Sequence, residues 1–295
     1  MATVGEWVSG ARPRTLGAAV APVAVGTGVA AFEDSAVPLR ALLALLVAVF
    51  LQVGVNYAND YSDGIRGTDR GRVGPVRLVG QGLAAPERVK FAALLAFGAG
   101  ALSGLVLVTL VGQWWLLLVG GASLAAGWLY TGGPRPYGYL GLGEVFVFVF
   151  FGVVPVLGTT YVQTLDFPAT AWWGAIGVGA LACAVLVANN LRDIPTDASS
   201  GKLTVAVRLG DRRTRWLFSC LLVLAYAAVV PIATGLGDGV TPAWLAYLSI
   251  PLAARAGLLV ADGARGRDLV GVLQLTGLTT VVYGVLLGLG LALGG

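Results

Sequence analysis

Asn59-Asp60-Tyr61-Ser62-Asp63, continuing through Gly64 to Asp69, closes a long apolar run. A second copy closes another: Asn189-Asn190-Leu191-Arg192-Asp193-Ile194-Pro195-Thr196-Asp197. Ala58-Asn59-Asp60-x-x-Asp63 lies over Ala188-Asn189-Asn190-x-x-Asp193, and the match resumes where Val76-Arg77-Leu78 corresponds to Val207-Arg208-Leu209. One acidic cluster beside an apolar helix is ordinary solvated surface. Two matched clusters, each opened by Asn and followed by Arg-Leu, ask for a ligand, because ionisable groups at membrane helices are costly and tend to be functional.

Working outward, the apolar runs set the class. The chain is 57% hydrophobic and 12% charged, with 44 glycines among its 295 residues, a balance foreign to soluble domains. Small residues in that number fit helices packed closely inside a bilayer. About 20 apolar residues span the hydrocarbon. The segments that qualify are about 15–33, 40–58, 91–111, 114–131, 143–161, 171–190, 216–235, 242–260 and 270–292. The fold expected is an all-α integral membrane protein of nine transmembrane helices. It would form two pseudo-repeated four-helix halves (about 15–131 and 143–260) plus one helix, in a single domain over 1–295. No cleavable signal peptide is expected, since no small-residue cleavage site follows Arg12 and Arg14.

Charge orients the bundle. The odd connections hold Arg40 alone among basic residues, whereas Arg66, Arg70, Arg72, Arg77, Arg135, Lys202, Arg208 and Arg212 all fall in even ones. The positive-inside rule then makes the N-terminus and the even loops cytoplasmic and the C-terminus external. Two cytoplasmic loops are expected to be long, about 59–90 and 191–215, each opening on an acidic cluster. Loops of that length are usually lids or binding loops. Trp114, Trp115, Trp172 and Trp173 read as an external interface belt. Cys183 and Cys220 sit in apolar runs without metal-ligand spacing and read as buried core.

Asn189, Asp193 and Asp197, at i, i+4 and i+8, share one face if their helix outlasts its apolar run by two turns. Asn59 and Asp63 repeat the spacing, and Gln52 and Asn56 carry the stripe back into the membrane. The next step is Gly67, with Asp69 two residues later. Five carboxylates gathered at one end (Asp60, Asp63, Asp69, Asp193, Asp197) would repel without cations. Hard oxygen donors suit Mg²⁺, which takes one or two carboxylates together with substrate phosphates. The basic residues around them, Arg66, Arg72, Arg77, Arg192, Lys202 and Arg208, complement phosphate. An acid cluster inside a basic ring reads as a metal diphosphate site. There is no histidine, so neither the commonest transition-metal ligand nor the usual general base is present.

At these residues the chain resembles the UbiA superfamily of intramembrane prenyltransferases, whose patterns are NxxxD with a further Asp and DxxxD: here Asn59-x-x-x-Asp63 and Asp193-x-x-x-Asp197. The likeness covers essentially the whole chain. It narrows to the naphthoate-using branch that makes menaquinones, on Asn190 to Asp197, Gly201-Lys202-Leu203-Thr204, Ala206 to Gly210, Tyr130 to Tyr137 and Arg12-Pro13-Arg14-Thr15. The resemblance implies a ring of helices around a chamber open to lipid. It implies transfer of a polyprenyl group from polyprenyl diphosphate to 1,4-dihydroxy-2-naphthoate, with decarboxylation. The metal set it implies is Asn59, Asp63, Asp193 and Asp197, supported by Asp60, Asp69 and Asn190. Lys202, Arg72, Arg77 and Arg135 are the candidates for the diphosphate. Arg14 and Arg12 are candidates for the acceptor carboxylate, and positive-inside anchoring explains them equally well. The ring faces of Tyr137 and Tyr61 suit a carbocation, and interface anchoring suits both as well. The setting expected is the cell membrane, with no nucleic-acid partner. The rival classes are a sister enzyme with another aromatic acceptor (4-hydroxybenzoate, homogentisate or haem) and a transporter. Transport sites lie near the midplane, often between inverted repeats, whereas a four-helix repeat leaves both clusters facing one side.

Overall fold

A computed structural model describes residues 2–67, 76–235 and 240–295. The described chain is helical, and its helices follow the apolar segments closely. α1 (Val4–Ala11) precedes α2 (Gly17–Phe32), α3 (Pro38–Arg66), α4 (Pro86–Val111) and α5 (Leu116–Leu129). α6 (Gly143–Thr164), α7 (Ala169–Ser199), α8 (Val205–Ala233), α9 (Pro242–Ala261) and α10 (Asp268–Ala292) follow. Among the described residues seven helices are long and apolar enough to cross a membrane, or eight if the pair Val4–Thr15 and Gly17–Phe32, bent by 45°, counts as one span. α5 is apolar but has only 14 residues.

The two long loops expected from the sequence need correcting. α3 continues to Arg66 and α7 to Ser199, so Asn59, Asp60, Asp63, Asp193 and Asp197 are helical. These acids are not in loops. Pro195 does not stop α7, although proline removes one helical donor. Gly67 is the true terminator of α3: it caps the helix in the left-handed region at φ 71°. Much of 191–215 is likewise helical, because Thr204 caps a new helix at Val205 through a 3.3 Å bond from the Val207 amide. Gly210, at φ 73°, ψ 172°, kinks α8 just after that first turn.

Two apolar clusters build the bundle. The larger joins α2, α6, α7, α8, α9 and α10 around Val25, Leu181, Phe218 and Tyr283. The smaller joins α3 and α4 around Tyr57, Ala58, Val89 and Phe97, with Leu78 from the connection between them and Trp7 of α1 packed against it. Cys183 is buried but Cys220 is exposed on α8, which corrects the core reading. Apolar residues facing lipid and apolar residues facing protein leave the same mark in a sequence. Trp114, Trp115, Trp172 and Trp173 are all exposed.

The first and last apolar helices pack backbone to backbone. A Cβ on Gly28 would meet the Gly288 backbone, one on Gly288 the Ala24 carbonyl, and one on Gly284 would come within 2.6 Å of Ala21 Cα. Gly288→Val should therefore separate α2 from α10 and lower the melting midpoint in detergent, at about 1–3 kcal/mol of overpacking. An unchanged midpoint by heated size-exclusion chromatography would show that the contact contributes nothing.

Candidate active site

The acidic end of α3 belongs to the smaller cluster and that of α7 to the larger. They are joined at Asp63, which is buried. Tyr139 donates its hydroxyl to Asp63 Oδ1 at 2.8 Å. Lys202 Nζ lies 3.5 Å from the same oxygen and 4.4 Å from the Tyr139 ring centroid. The Lys202 amide donates to the Asp197 carbonyl at 2.9 Å, so the lysine is seated on the end of α7 while its ammonium reaches α3. The turn that does this passes through Gly201 at φ 76°, a conformation that favours glycine. Arg66 reaches the α5–α6 connection through the carbonyls of Thr131 and Gly133, and its guanidinium lies 5.7 Å from the Tyr139 ring.

On α7, Arg192 binds Asp193 twice, Nε to Oδ1 at 2.7 Å and Nη2 to Oδ2 at 2.8 Å. The same Nη2 is 2.8 Å from Asn189 Oδ1. Asn189 and Asp193 therefore present oxygens to one point, as i, i+4 spacing on a helix requires. Asn59 Oδ1 accepts the Thr131 hydroxyl at 2.7 Å.

Other expected residues are placed differently. Both Asp60 oxygens accept backbone amides, from Leu78 at 2.7 Å and Val79 at 3.1 Å. That pins the returning chain beside α3 and carries Arg77, which is buried, to the same end. Asn190 turns away from Asp193 and donates to Glu144 Oε1 at 3.1 Å. Tyr137 donates to the Ala126 carbonyl at 2.7 Å and stacks on Phe146 at 4.0 Å. The tyrosine at the acids is Tyr139, two residues on. Its signal was its place in the basic connection that carries Arg135, but spacing alone does not separate it from Tyr137. Tyr61 stacks on Trp128 at 6.2 Å, and Arg135 is exposed. Asp69 and Arg72 lie outside the described residues, within 68–75.

Arg12 and Arg14 flank the turn into α2, where Arg12 takes φ 54°. α3 tethers this turn: Asn56 Nδ2 donates to the Ala11 carbonyl at 2.8 Å and to Thr15 Oγ1 at 2.9 Å, and Gln52 Nε2 to Thr15 Oγ1 at 3.1 Å. Gln52 Oε1 is buried with no hydrogen-bond partner among the described residues. The polar stripe Gln52, Asn56, Asn59, Asp63 thus runs from this turn to the acids.

Among the described residues no three acidic, cysteine or histidine side chains gather as a ready metal cage. The donors are instead covered by cations of the protein itself, Lys202 at Asp63 and Arg192 at Asp193. Their oxygen chemistry fits a hard divalent ion that arrives with phosphate oxygens to complete its shell.

A multi-pass helical bundle with carboxylates and cations interleaved at one end has the frame of a membrane enzyme. The chain belongs to the UbiA prenyltransferase family, whose model matches residues 19–269, a family of transferases. It is 55% identical to the 1,4-dihydroxy-2-naphthoate octaprenyltransferase of Mycobacterium tuberculosis, covering all of this chain and 99% of that one. The Escherichia coli enzyme of the same name is 43% identical over 74% of this chain and 72% of its own. Among solved structures, an apo UbiA homologue from Aeropyrum pernix K1 superposes with a TM-score of 0.71 at 16% identity, covering 93% of this chain and 96% of the other. A UbiA homologue from Archaeoglobus fulgidus bound to GPP and Mg²⁺ gives 0.60 at 15% identity, covering 96% and 99%. At those identities the likeness is one of fold.

Proposed function

We propose that this protein transfers a polyprenyl group from polyprenyl diphosphate to 1,4-dihydroxy-2-naphthoate, releasing diphosphate and carbon dioxide and giving the quinol form of demethylmenaquinone, whose oxidation to the quinone is a separate two-electron step. The observation that carries this reading is the meeting of Lys202 and Tyr139 at Asp63, between the two acidic helix ends. Full-length likeness to naphthoate octaprenyltransferases supports the acceptor. We read the bundle as nine spans around a chamber, in the cell membrane, with this end and the N-terminus cytoplasmic. The repeat halves, about 15–131 and 143–260, belong to one domain.

Asn59, Asp63, Asp193 and Asp197 would hold Mg²⁺, with Asn189 beside them and Asp69 nearby in sequence. When bound, Mg²⁺ supplies Lewis-acid neutralisation of the diphosphate as its bond to the prenyl carbon breaks. Asp60 and Asn190 act as supports, through the loop amides and Glu144 respectively. Lys202, Arg77 and Arg135 would serve the diphosphate, with Arg72 a candidate from the sequence alone; fixed positive charge there lowers the barrier as negative charge collects on the leaving oxygen. The C–O pair leaves with the diphosphate, and the allylic cation is attacked by the electron-rich naphthoate ring, which loses its carboxylate as CO₂. Tyr139, rather than Tyr137, presents an aromatic face beside Asp63, and water must be kept from the cation.

The acceptor belongs at the turn that bears Arg12 and Arg14. A phenolic O–H would satisfy Gln52 Oε1, which costs about 1–3 kcal/mol when buried without a partner. Gln52→Leu should then raise KM for the naphthoate about tenfold while leaving KM for the prenyl diphosphate unchanged. Equal effects on both substrates would remove Gln52 from the acceptor site.

The test of the whole reading is product formation by purified protein in detergent or lipid. Mg²⁺, a labelled polyprenyl diphosphate and a panel of aromatic acceptors are supplied, with and without chelator. Chelator-sensitive lipophilic product from dihydroxynaphthoate is expected. Product from hydroxybenzoate, homogentisate or haem instead would keep the chemistry and discard the acceptor. Failure to bind Mg²⁺ and diphosphate at all would discard the site.

A further inference from the structure

Arg192 does something its neighbours in sequence do not require. Its guanidinium covers three oxygens at once: both of Asp193, at 2.7 and 2.8 Å, and Oδ1 of Asn189, at 2.8 Å. These are the oxygens that a divalent cation at this end of α7 would use. The side chains of Arg192 and Asp193 are each only 5% exposed, so the pair is shielded from water and from salt. Removing one partner of such a pair strands a buried charge, which is strongly unfavourable.

We propose that Arg192 is a placeholder cation, which occupies the metal ligands of α7 in the substrate-free protein and passes to the diphosphate when the metal diphosphate arrives. This rests on the metal diphosphate reading above. The guanidinium fork matches a phosphate as well as a carboxylate, and a residue adjacent to Asp193 exchanges partners by rotating its side chain, with no movement of the helix. A metal ion alone must displace the arginine and leave it buried without an anion. A metal ion with diphosphate supplies a cation for Asp193 and an anion for Arg192 together. Metal and diphosphate are therefore coupled through this residue, each tightening the other by the same factor. The device keeps free divalent cations out of an acidic site until the substrate is present. It also keeps Asn189 and Asp193 in ligating positions meanwhile, so Arg192 is a positioning residue in the free protein.

The experiment is Mn²⁺ titration of the detergent-solubilised full chain, read by the loss of the free-ion spin-resonance signal, with and without saturating inorganic diphosphate corrected for its own Mn²⁺ binding. Arg192→Gln should bind Mn²⁺ alone about five- to tenfold more tightly than the unsubstituted protein, the scale of an ordinary coupling between sites. The extra tightening by diphosphate should shrink correspondingly. A merely structural arginine predicts the opposite sign, since a damaged site binds metal more weakly. Arg192→Lys keeps the charge but cannot cover three oxygens, so it should fall between the two. It carries the test if the glutamine variant fails to fold. Unchanged or weaker Mn²⁺ binding in the folded variants, beside normal binding in the unsubstituted protein, overturns the placeholder and leaves the metal diphosphate site standing. No Mn²⁺ binding by the unsubstituted protein in either condition overturns both.

Discussion

Asp63→Ala and Asp193→Ala should each abolish detectable prenyl transfer, a loss of about 1000-fold or more, while the protein still purifies as a folded membrane protein. Asp63 is the point where Tyr139, Lys202 and the end of α3 meet. Asp193 holds the corresponding place on α7, under Arg192. On the proposed metal diphosphate site, removing either carboxylate would take an oxygen donor from the cation, and it leaves a buried positive side chain without its anion, so neither Mg²⁺ nor diphosphate would be held in register. Substitution by Asn separates these effects: it keeps the shape and one donor oxygen and loses the charge. Labelled-product assays at saturating Mg²⁺, with thermal midpoints measured in parallel, check the result. Activity within tenfold of the unsubstituted enzyme in either Ala variant would show that its carboxylate lies outside the reaction.

Lys202→Ala should lower kcat by about 100-fold or more, the usual effect of removing one preorganised charge from a reacting anion. The ammonium is only partly satisfied at 3.5 Å from Asp63, and it lies over the Tyr139 ring. It is thus free to turn toward phosphate oxygens without unfolding its support, because the support is the backbone bond from its amide to Asp197. Lys202→Arg keeps charge with a different reach and should recover part of the loss. Two tyrosines give the internal control. Tyr139→Phe removes the hydroxyl bonded to Asp63 and should lower activity about tenfold. Tyr137→Phe removes only a bond to the Ala126 carbonyl and should affect stability more than rate. A larger kinetic effect at Tyr137 than at Tyr139 would reverse the assignment made from the geometry.

Much of this protein could be read without coordinates. Apolar length alone located every helix from α2 to α10, since a chain in hydrocarbon must satisfy its backbone within each helix. The repeated Asn and Asp positions located the two helix ends that carry the acids. Family membership followed from the same residues together with their flanks. The i, i+4, i+8 spacing even carried the correct condition, a helix outlasting its apolar run, and α7 meets it through Ser199. What could not be read was where a helix ends once hydropathy stops being the guide. α3 runs eight residues beyond Ala58 to Arg66 and stops at Gly67, so a supposed loop is a helix end.

Partner choice between one helix and another belongs to the tertiary structure. Adjacent residues on a helix point about 100° apart, so Asn189 meets Arg192 within α7 while Asn190 goes to Glu144 of α6. Asp60 turns to the Leu78 and Val79 amides while Asp63 turns to Tyr139 and Lys202. Tyr137 and Tyr139 lie in one short turn and face different neighbours for the same reason. The residue types in a sequence determine which chemistry is present. Which side chains share a point in space depends on the rotation of each helix about its axis. That rotation is set by the packing of distant residues, such as Gly28 against Gly288, and no local spacing records it.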